Sequence, residues 1–257
     1  MDTIKIFYED HIAIITIFNP PVNSITPQVV DDLEEAFRVV AEHGDVWAVV
    51  LGSELEKVFV AGADINQFVT WKRQDGIDVT TRGHKVLKMI EDYDKPVICA
   101  INGIAFGAGL EMALACDIRV FDEKAKVGLP ETGLGIIPGY GGTQRLPRLV
   151  GPGAARLLVY TGAPINANRA LEIGLAQIVT ENGKCMEEAK KLALQIASQA
   201  PIAISAAKKA ITFAMANSLE MGIDFEIQTV GMLAETADKT EGANAFLEKR
   251  SPVFCNK

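Results

Sequence analysis

Short runs rich in valine and isoleucine alternate with amphipathic segments along the first part of the chain, and this alternation most restricts the possible folds. The runs "VWAVVLGS", "VICAI" and "DIRVF" are apolar enough for strands that are buried on both faces. Between the first two, "RGHKVLKMIEDYDKP" has the pattern of a helix that stops before a proline. Near the N-terminus, "IKIFY" and "IAIITI" flank "EDH" and predict a β-hairpin. This order predicts an α/β fold whose parallel sheet is built from βαβ-type units.

From Pro152 onward the sequence predicts helices and no further strands. The segment "LEMGIDFEIQTVGMLAETA" is typical of a helix, but it holds more apolar residues than the surface helix of a single chain needs. These residues are Phe225, Ile227, Val230, Met232 and Leu233. We therefore predict that the C-terminal helices pack against another subunit.

Charge and composition limit the class of protein to which the 257 residues can belong. A net charge of −8 argues against a nucleic-acid partner, because binding to phosphates needs clustered lysine and arginine. The N-terminal "MDTIKIFYED" has no apolar segment typical of a signal peptide, and no apolar run approaches the length of a membrane span. We therefore expect a cytoplasmic protein that does not associate with a membrane.

The four cysteines predict neither a metal site nor a redox motif. Cys99, Cys116, Cys185 and Cys255 form no C-x-x-C pair and have no histidine nearby. We expect free, buried thiols in a reducing compartment.

Three stretches that follow apolar strands carry the candidate chemistry. In "KVFVAGADINQF", a strand runs into Ala-Gly-Ala and then into Asp64, a good N-cap for a short helix. In "NGIAFGAGLE", three glycines and two alanines lead to Glu111 at the start of an apolar helix. In "KVGLPETGLGIIPGYGGTQRL", Glu131 lies in a glycine-rich loop. The backbone N–H groups at the two helix starts have no partner within their helix and point outward.

Glu131 lies twenty positions after Glu111, with the strand "DIRVF" between them, so both carboxylates can reach one cleft above the ends of neighbouring strands. Two backbone donors beside two carboxylates suit a reaction that forms an enolate, because the donors stabilise an oxyanion and the carboxylates move protons. The sequence shows no Ser–His or Cys–His pairing and no cluster of metal ligands. The alternative remains open that Glu111 is a surface acid favoured by the helix dipole and that Glu131 is an ordinary loop acid.

Other motifs have simpler interpretations. We interpret Asp64 as an N-cap and not as a catalyst. The stretch "GYGGT" lacks the G-x-x-x-x-G-K-[ST] pattern of a phosphate-binding loop, and "GIAFGAG" lacks the G-x-G-x-x-G spacing of a dinucleotide site. We assign His11, His43 and His84 to the surface or to packing, and Trp71 and Tyr140 to the wall or lid of a pocket.

The stretches "FVAGADI", "NGIAFGAGLEMALACDIRV" and "GLPETGLGIIPGYGGTQRLPRLVG" closely resemble the crotonase, or enoyl-CoA hydratase/isomerase, superfamily. The resemblance extends from "FNPPVNSIT" to "AFLEKRSPVF", and the three central blocks in this order are highly specific. It implies a crotonase-like spiral of ββα turns with the active site at residues 1–195, and a helical oligomerisation region at residues 196–257. It also implies a homotrimer, or a homohexamer made of two trimers.

The resemblance assigns four residues to the reaction. It places an oxyanion hole at the N–H groups of Ala63 and Ala108, although many relatives have glycine at the second position. It matches Glu111 and Glu131 to the two catalytic acids of hydratases. These enzymes add water to a trans-2-enoyl-CoA in fatty acid β-oxidation, in butyrate metabolism or in aromatic-acid degradation. Retention of both acids favours hydration over the alternatives, which are a Δ3,Δ2-enoyl-CoA isomerase, another CoA-ester enzyme and a non-catalytic RNA-binding member.

The resemblance also implies where coenzyme A lies. The CoA moiety belongs to the substrate, so we expect no separate cofactor and no metal. Lys57 is expected near the phosphates, and Phe246 and Lys249 are expected to cover the ligand from a neighbouring helix or subunit. Several relatives have lysine where this chain has Asn66, which removes one expected phosphate contact. The other implied contacts of the substrate are Val22, Ser24, Ala61, Asp64, Ile65, Gly107, Pro130, Pro138 and Gly139.

Overall fold

Ten strands form two sheets in the computed structural model, which describes residues 1–257 apart from the side chain of Gln67. One sheet has six strands in the order β1–β2–β3–β5–β7–β10, and the other has four in the order β4–β6–β8–β9. The strands are β1 (Ile4–Glu9), β2 (Ile12–Ile17), β3 (Ala48–Ser53), β4 (Val58–Val60), β5 (Val97–Ile101), β6 (Ile104–Phe106), β7 (Ile118–Asp122), β8 (Lys126–Gly128), β9 (Ile165–Asn166) and β10 (Ile178–Thr180).

Nine α-helices and two short 3-10 helices complete the described part of the chain. The 3-10 helices span Ile65–Thr70 and Pro130–Leu134. The α-helices are α1 (Pro27–Ala41), α2 (Arg73–Glu91), α3 (Ala108–Ala115), α4 (Gly142–Thr161), α5 (Ala167–Glu172), α6 (Cys185–Ala197), α7 (Pro201–Ala214), α8 (Leu219–Leu233) and α9 (Ala237–Glu248).

The central part of the chain winds as a spiral in which each turn gives one strand to each sheet. β3 and β4 precede α2, β5 and β6 precede α3, and β7 and β8 precede α4. Within the six-stranded sheet, β1 and β2 form the predicted antiparallel hairpin, with Ile4 opposite Ile17, and the remaining pairs are parallel. This repeat confirms the expected spiral of ββα turns. Periodicity predicts one parallel sheet of βαβ units, and that prediction was wrong because the strands divide between two sheets.

Apolar side chains cover both faces of the six-stranded sheet. Because successive side chains of a strand point to opposite faces, Val97 and Cys99 pack into the cluster with α1, α2 and α3, whereas Ile98 faces the other side. On that second side, Ala189 and Ala193 of α6 pack against the sheet. The strands are therefore buried on both faces, which explains their continuous runs of apolar residues.

The prediction that no strand follows Pro152 was wrong. β10 pairs in parallel with β7 at the edge of the large sheet, and the two-residue β9 pairs with β8. Each is too short to show a period-two pattern, although the run "QIVT" contains the β-branched residues of β10. The boundary predicted after residue 195 falls within α6, two residues before the helix ends. The division into two regions remains a prediction.

The C-terminal helix α8 has no buried residue among its fifteen. It packs against α7, where the rings of Phe213 and Phe225 stack with centroids 4.6 Å apart. Its remaining surface carries large apolar side chains: Leu219, Met221, Ile223, Ile227, Val230 and Met232. None of the helices in the described residues is both long and apolar enough to cross a bilayer.

The four cysteines are free, as predicted, but they are not all buried. Cys99, Cys116 and Cys185 lie in the interior, whereas Cys255 is exposed in the segment after α9. The expectation of a buried thiol was wrong for Cys255 because the last residues lie on the surface of α9, beyond the core.

Candidate active site

The first candidate oxyanion donor lies just after β4. Ile25 donates its N–H to the oxygen of Gly62 (2.8 Å) and accepts from the N–H of Asp64 (3.3 Å), forming a parallel bridge opposite Ala63. In such a bridge the residue between the two contacts turns its own N–H away from the partner strand. Gly62 has a φ of +119°, which favours glycine. The N–H of Ala63 is therefore directed away from Ile25, on the side where Ala61, Gly62 and Ala63 line a cavity.

The second candidate donor is the first residue of α3. Ala108 follows the N-cap Gly107, so its N–H has no acceptor within the helix. Gly107 has a φ of +50°, and a Cβ at this position would lie 2.7 Å from Oε1 of Glu131. A Cβ at Gly109 would overlap the carbonyl oxygen of Val60 at the end of β4. The small residues thus bring the N-terminus of α3 directly against the strand that leads to Ala63.

Glu111, in the first turn of α3, is buried with 2% of its surface exposed. Its Oε1 accepts two backbone hydrogen bonds, from the N–H of Tyr140 (2.8 Å) and from the N–H of Gly142 (2.7 Å). The pKa of Glu111 is raised to about 7, mainly by burial and also by the charge of Glu131, while the two backbone donors oppose this rise. The alternative that Glu111 is a surface acid is therefore wrong.

Glu131 is the second residue of the 3-10 helix Pro130–Leu134 and is 9% exposed. Its Oε2 is buried and has no hydrogen-bond partner among the side chains and backbone that the structure describes. Burial also raises the pKa of this carboxyl. A buried carboxyl oxygen without a partner is unusual in a folded protein, so Glu131 is not an ordinary loop acid.

Both acids line one cavity of about 670 Å³. The apolar part of its wall includes Phe68, Trp71, Val79, Ile136 and Tyr140. The structure therefore brings most of the site residues predicted from the sequence to one place. The predicted residues that line the cavity are Ala61, Ala63, Ile65, Gly107, Ala108, Glu111, Pro130, Glu131, Pro138 and Gly139.

The remaining predicted contacts lie outside the described wall of the cavity. Val22 lies next to it, because its oxygen accepts from the N–H of Ala61 (3.1 Å), and Ser24 is half-buried in the same segment. Lys57 is exposed just before β4. Asp64 is an N-cap, as interpreted, whose Oδ1 accepts from the N–H of Asn66 (3.1 Å).

Phe246 and Lys249 lie at the C-terminal end of α9. Phe246 is 84% exposed, and neither residue contributes to the described cavity wall of its own chain. Their predicted role in binding CoA therefore remains a prediction.

The resemblance implies that residues around Phe68 to Val86 line the pocket for the acyl tail, but the sequence did not identify which face of α2 closes the cavity. Gly76, Thr80 and His84 recur every four residues and, with Val79, lie on one face of this helix. Trp71 and Tyr140 line the cavity as expected, whereas His84 had been grouped with surface and packing residues. The i, i+4, i+8 spacing of small and polar residues is the signal that could have identified this face.

The described residues contain no cluster of metal ligands. In that part of the molecule, no three or more His, Cys, Asp or Glu side chains are grouped so that they could hold a metal ion. The groups that line the cavity include the two carboxyls of Glu111 and Glu131 and the backbone at Ala63 and Ala108. Together they can polarise a carbonyl and move protons beside it.

Comparison with known proteins identifies the family. A family model described as enoyl-CoA hydratase/isomerase matches residues 8–257. The chain belongs to the enoyl-CoA hydratase/isomerase family. Its sequence is 40% identical to the short-chain-enoyl-CoA hydratase of Clostridium acetobutylicum, over 94% of this chain and 93% of that protein. It is 38% identical to the crotonyl-CoA hydratase of Syntrophomonas wolfei, over 97% of this chain and 96% of that protein.

Solved structures of the enoyl-CoA hydratase/isomerase family share the fold over the whole chain. The crystal structure of an enoyl-CoA hydratase from Bacillus anthracis superposes with a TM-score of 0.96 at 38% identity. The superposition covers 99% of this chain and 100% of that one. The spiral of ββα turns and the C-terminal helices are therefore those of this family.

Proposed function

We propose that this protein is an enoyl-CoA hydratase, a hydro-lyase that adds water to trans-2-enoyl-CoA and forms 3-hydroxyacyl-CoA. The observation that carries the proposal is that two buried carboxyls, Glu111 and Glu131, line the same cavity as Ala63 and Ala108. The names of relatives that match over nearly the whole chain support the same reaction.

The backbone donors act on the thioester. Its carbonyl oxygen accepts hydrogen bonds from the N–H groups of Ala63 and Ala108, which withdraws electron density from the conjugated double bond and makes C3 electrophilic. As water adds at C3, negative charge develops on this oxygen and an enolate forms. Each donor is expected to stabilise the transition state by roughly 3 kcal/mol. No nucleophilic side chain is needed for this step.

The two carboxyls transfer the protons. Glu111 accepts a proton from the water whose oxygen bonds to C3, and Glu131 donates a proton to C2, so that both additions occur on one face. The reactive state of the pair carries one proton, on Glu131. The two carboxylates repel each other, so the pair favours holding one proton; the two N–H donors at Oε1 favour the ionised form of Glu111, and burial favours the protonated form of Glu131. The proton left on Glu111 then passes to Glu131, directly or through solvent, which restores the starting pair before the next turnover.

The rest of the substrate and the assembly complete the proposal. The CoA moiety extends along Val22, Ser24 and Asp64 with Lys57 near its phosphates, and Phe246 and Lys249 cover it from a neighbouring helix or subunit. Residues 196–257 join subunits into a homotrimer or a homohexamer. The apolar side chains left exposed on α8 support this assembly, because a lone chain rarely leaves such a surface in water.

The experiment follows the ultraviolet absorbance of the conjugated thioester when purified protein is mixed with crotonyl-CoA in water. We expect the absorbance to fall as the double bond is hydrated. A series from crotonyl-CoA to decenoyl-CoA then gives the preferred acyl length. Protein that leaves 2-enoyl-CoA unchanged, but produces it from a 3-enoyl-CoA, would be an isomerase and would contradict the proposal.

A further inference from the structure

A partly buried arginine connects α2 to the turn before α4. The side chain of Arg145 is 13% exposed. Its Nη1 donates to the oxygen of Tyr140 (3.0 Å), and its Nη2 donates to Oε2 of Glu91 at the end of α2 (2.9 Å). The guanidinium therefore joins a carboxylate on one element to a backbone carbonyl on another.

The turn at residues 139–142 is shaped around this guanidinium. Gly141 has a φ of +104°, which favours glycine, and a Cβ at this position would overlap Nη1 of Arg145. The oxygen of Gly141 accepts from the N–H groups of Gln144 (2.9 Å) and Arg145 (2.8 Å). Both the backbone and the side chain of Arg145 thus hold the turn in this conformation.

The same turn supplies both hydrogen bonds to Glu111. Tyr140 donates its N–H to Oε1 of Glu111, and its own carbonyl accepts from Arg145. Gly142, which donates the second bond, has no room for a side chain, because a Cβ would lie 3.0 Å from the same Oε1. One residue, Tyr140, therefore separates the arginine from the catalytic carboxylate.

Stability alone does not explain the position of Arg145. Its Nε is buried and finds no hydrogen-bond partner in the described part of the molecule. An arginine placed at the surface would satisfy that donor with water, whereas a partly satisfied buried charge costs free energy. Such a cost is common where a group serves a functional site.

We infer that Arg145 is a positioning residue: held by Glu91, it fixes the turn whose two N–H groups orient the carboxylate of Glu111. The inference rests on the proposed hydratase function, in which Glu111 accepts the proton of water. The arrangement gives the carboxylate a fixed direction before substrate binds, which is how catalytic groups gain from preorganisation.

The charges around Glu111 separate this role from simple packing. Glu131 faces Glu111 from the 3-10 helix. Tyr140 lies in the turn before α4, and Arg145 lies in α4. His84 and Glu91 belong to α2. Burial raises the pKa of Glu111 most, and the positive charge of Arg145 lowers it. Because Glu91 offsets that positive charge, removing Glu91 and removing Arg145 have opposite effects on the ionisation of Glu111.

The test compares Arg145→Met and Glu91→Gln with wild type in crotonyl-CoA hydration across pH. Arg148→Met is the matched control, because Arg148 lies on the same helix and is exposed. We expect Arg145→Met to lower kcat ~10-fold or more with a smaller change in KM, and to move the acidic limb of kcat/KM to higher pH by roughly 0.5–1 unit. Glu91→Gln is expected to lose less activity and to move the limb to lower pH, and Arg148→Met to behave as wild type.

A second measurement needs no substrate. Carbon-13 resonances of labelled glutamate carboxyls are titrated, and the Glu111 signal is assigned from its loss in Glu111→Gln. Opposite shifts in Arg145→Met and Glu91→Gln support the inference even if the wild type does not hydrate crotonyl-CoA, a result that would overturn the hydratase function alone. Unshifted Glu111 titration in Arg145→Met, or activity losses that only follow the folded fraction, would overturn the positioning role.

Discussion

Two apolar helices of this protein have opposite surroundings. All eight residues of α3 are buried, from Ala108 to Ala115, between the small sheet and the helices α2 and α4. None of the fifteen residues of α8 is buried in the isolated chain. Apolar composition therefore predicts that a helix will be covered, but it does not predict whether the covering surface belongs to the same chain.

The residue types of α3 and α8 distinguish the helix that is covered by its own chain from the helix that is left exposed. α3 is built from alanine and glycine beside larger residues, and Gly109 lets its backbone lie directly against β4. α8 has large aliphatic side chains interspersed with the acids Glu220, Asp224 and Glu226. Small residues favour a close backbone approach within a core, whereas large apolar residues beside charges are typical of an interface with a polar rim.

The largest expected effect is on catalysis, at Glu111 of the buried helix and at Glu131 of the 3-10 helix. Glu111→Gln and Glu131→Gln are each expected to lower crotonyl-CoA hydration by ~10²- to 10⁴-fold, because each removes a proton-transfer group. Binding of CoA esters, measured by calorimetry, should stay near that of wild type. Glu123→Gln is the control, because Glu123 is exposed outside the cavity. Turnover like that of wild type in either variant would remove that residue from the mechanism.

The second effect is on stability: Glu111→Gln loses activity, but it should gain stability relative to wild type as the pH rises. Burial raises the pKa of Glu111 to about 7 from 4.5, so its ionisation lowers the free energy of unfolding as pH rises from 4.5 to 7. Glutamine carries no charge at any pH. We expect the free energy of unfolding of Glu111→Gln, relative to wild type, to be ~2–3 kcal/mol greater at pH 8 than at pH 5. Urea unfolding measures this difference, and a constant difference across pH would contradict it.

A matched pair of glycines compares the two helices directly. Gly109→Ala in α3 places a methyl group on the carbonyl of Val60, and we expect a loss of about 1–3 kcal/mol in the free energy of unfolding. At Gly231 in α8 nothing in the described chain lies within 4 Å of an added Cβ. There the same change should be neutral or should stabilise by roughly 0.5–1 kcal/mol. A large loss at Gly231 would instead indicate close contact with another subunit.

A charge on α8 tests whether its apolar face is an interface. Ile227→Asp puts a carboxylate on a residue that is 58% exposed in the isolated chain. If this face is covered in the oligomer, the change should cost about 2 kcal/mol per site, and the mass in sedimentation should fall towards that of one chain. Glu226→Gln, on the same helix, should leave the mass unchanged. An unchanged mass in Ile227→Asp would exclude this face from the proposed interface.

The smallest expected effect concerns the proposed contact from the C-terminal region to coenzyme A. Lys249→Ala should weaken CoA-ester binding by ~3- to 10-fold and change kcat less, because an exposed charge contributes little. Raising the salt concentration should reduce this difference. Lys239→Ala, at an exposed position near the start of the same helix, is the control. A dissociation constant equal to that of wild type would show that Lys249 does not bind the ligand.

Local patterns predicted much of the fold. The hairpin β1–β2, the helix α2 and the buried strands β3, β5 and β7 follow from period-two pairing, helical spacing and apolar runs. The second sheet did not, because its strands have two or three residues and pair across distant parts of the chain. The expectation of a spiral came from resemblance and not from periodicity.

The sequence predicted the two acids of the site, Glu111 and Glu131, but it did not predict the contacts that hold Glu111 in position. The strand between Glu111 and Glu131 indicated that both acids could reach one cleft. The hydrogen bonds from Tyr140 and Gly142 join residues 29 and 31 positions away from Glu111, and the turn that makes them depends on Arg145. Contacts of this kind are fixed by tertiary packing, so no local spacing reveals them.

The two N–H groups on Oε1 of Glu111 have a consequence for the product. With one oxygen engaged by the backbone, the proposed water can be held through Oε2 alone, and from one direction. An alkene whose thioester oxygen is held by the N–H groups of Ala63 and Ala108 then presents only one of its two faces to Oε2. The handedness of the new alcohol carbon is in this way set by the protein backbone before any substrate arrives.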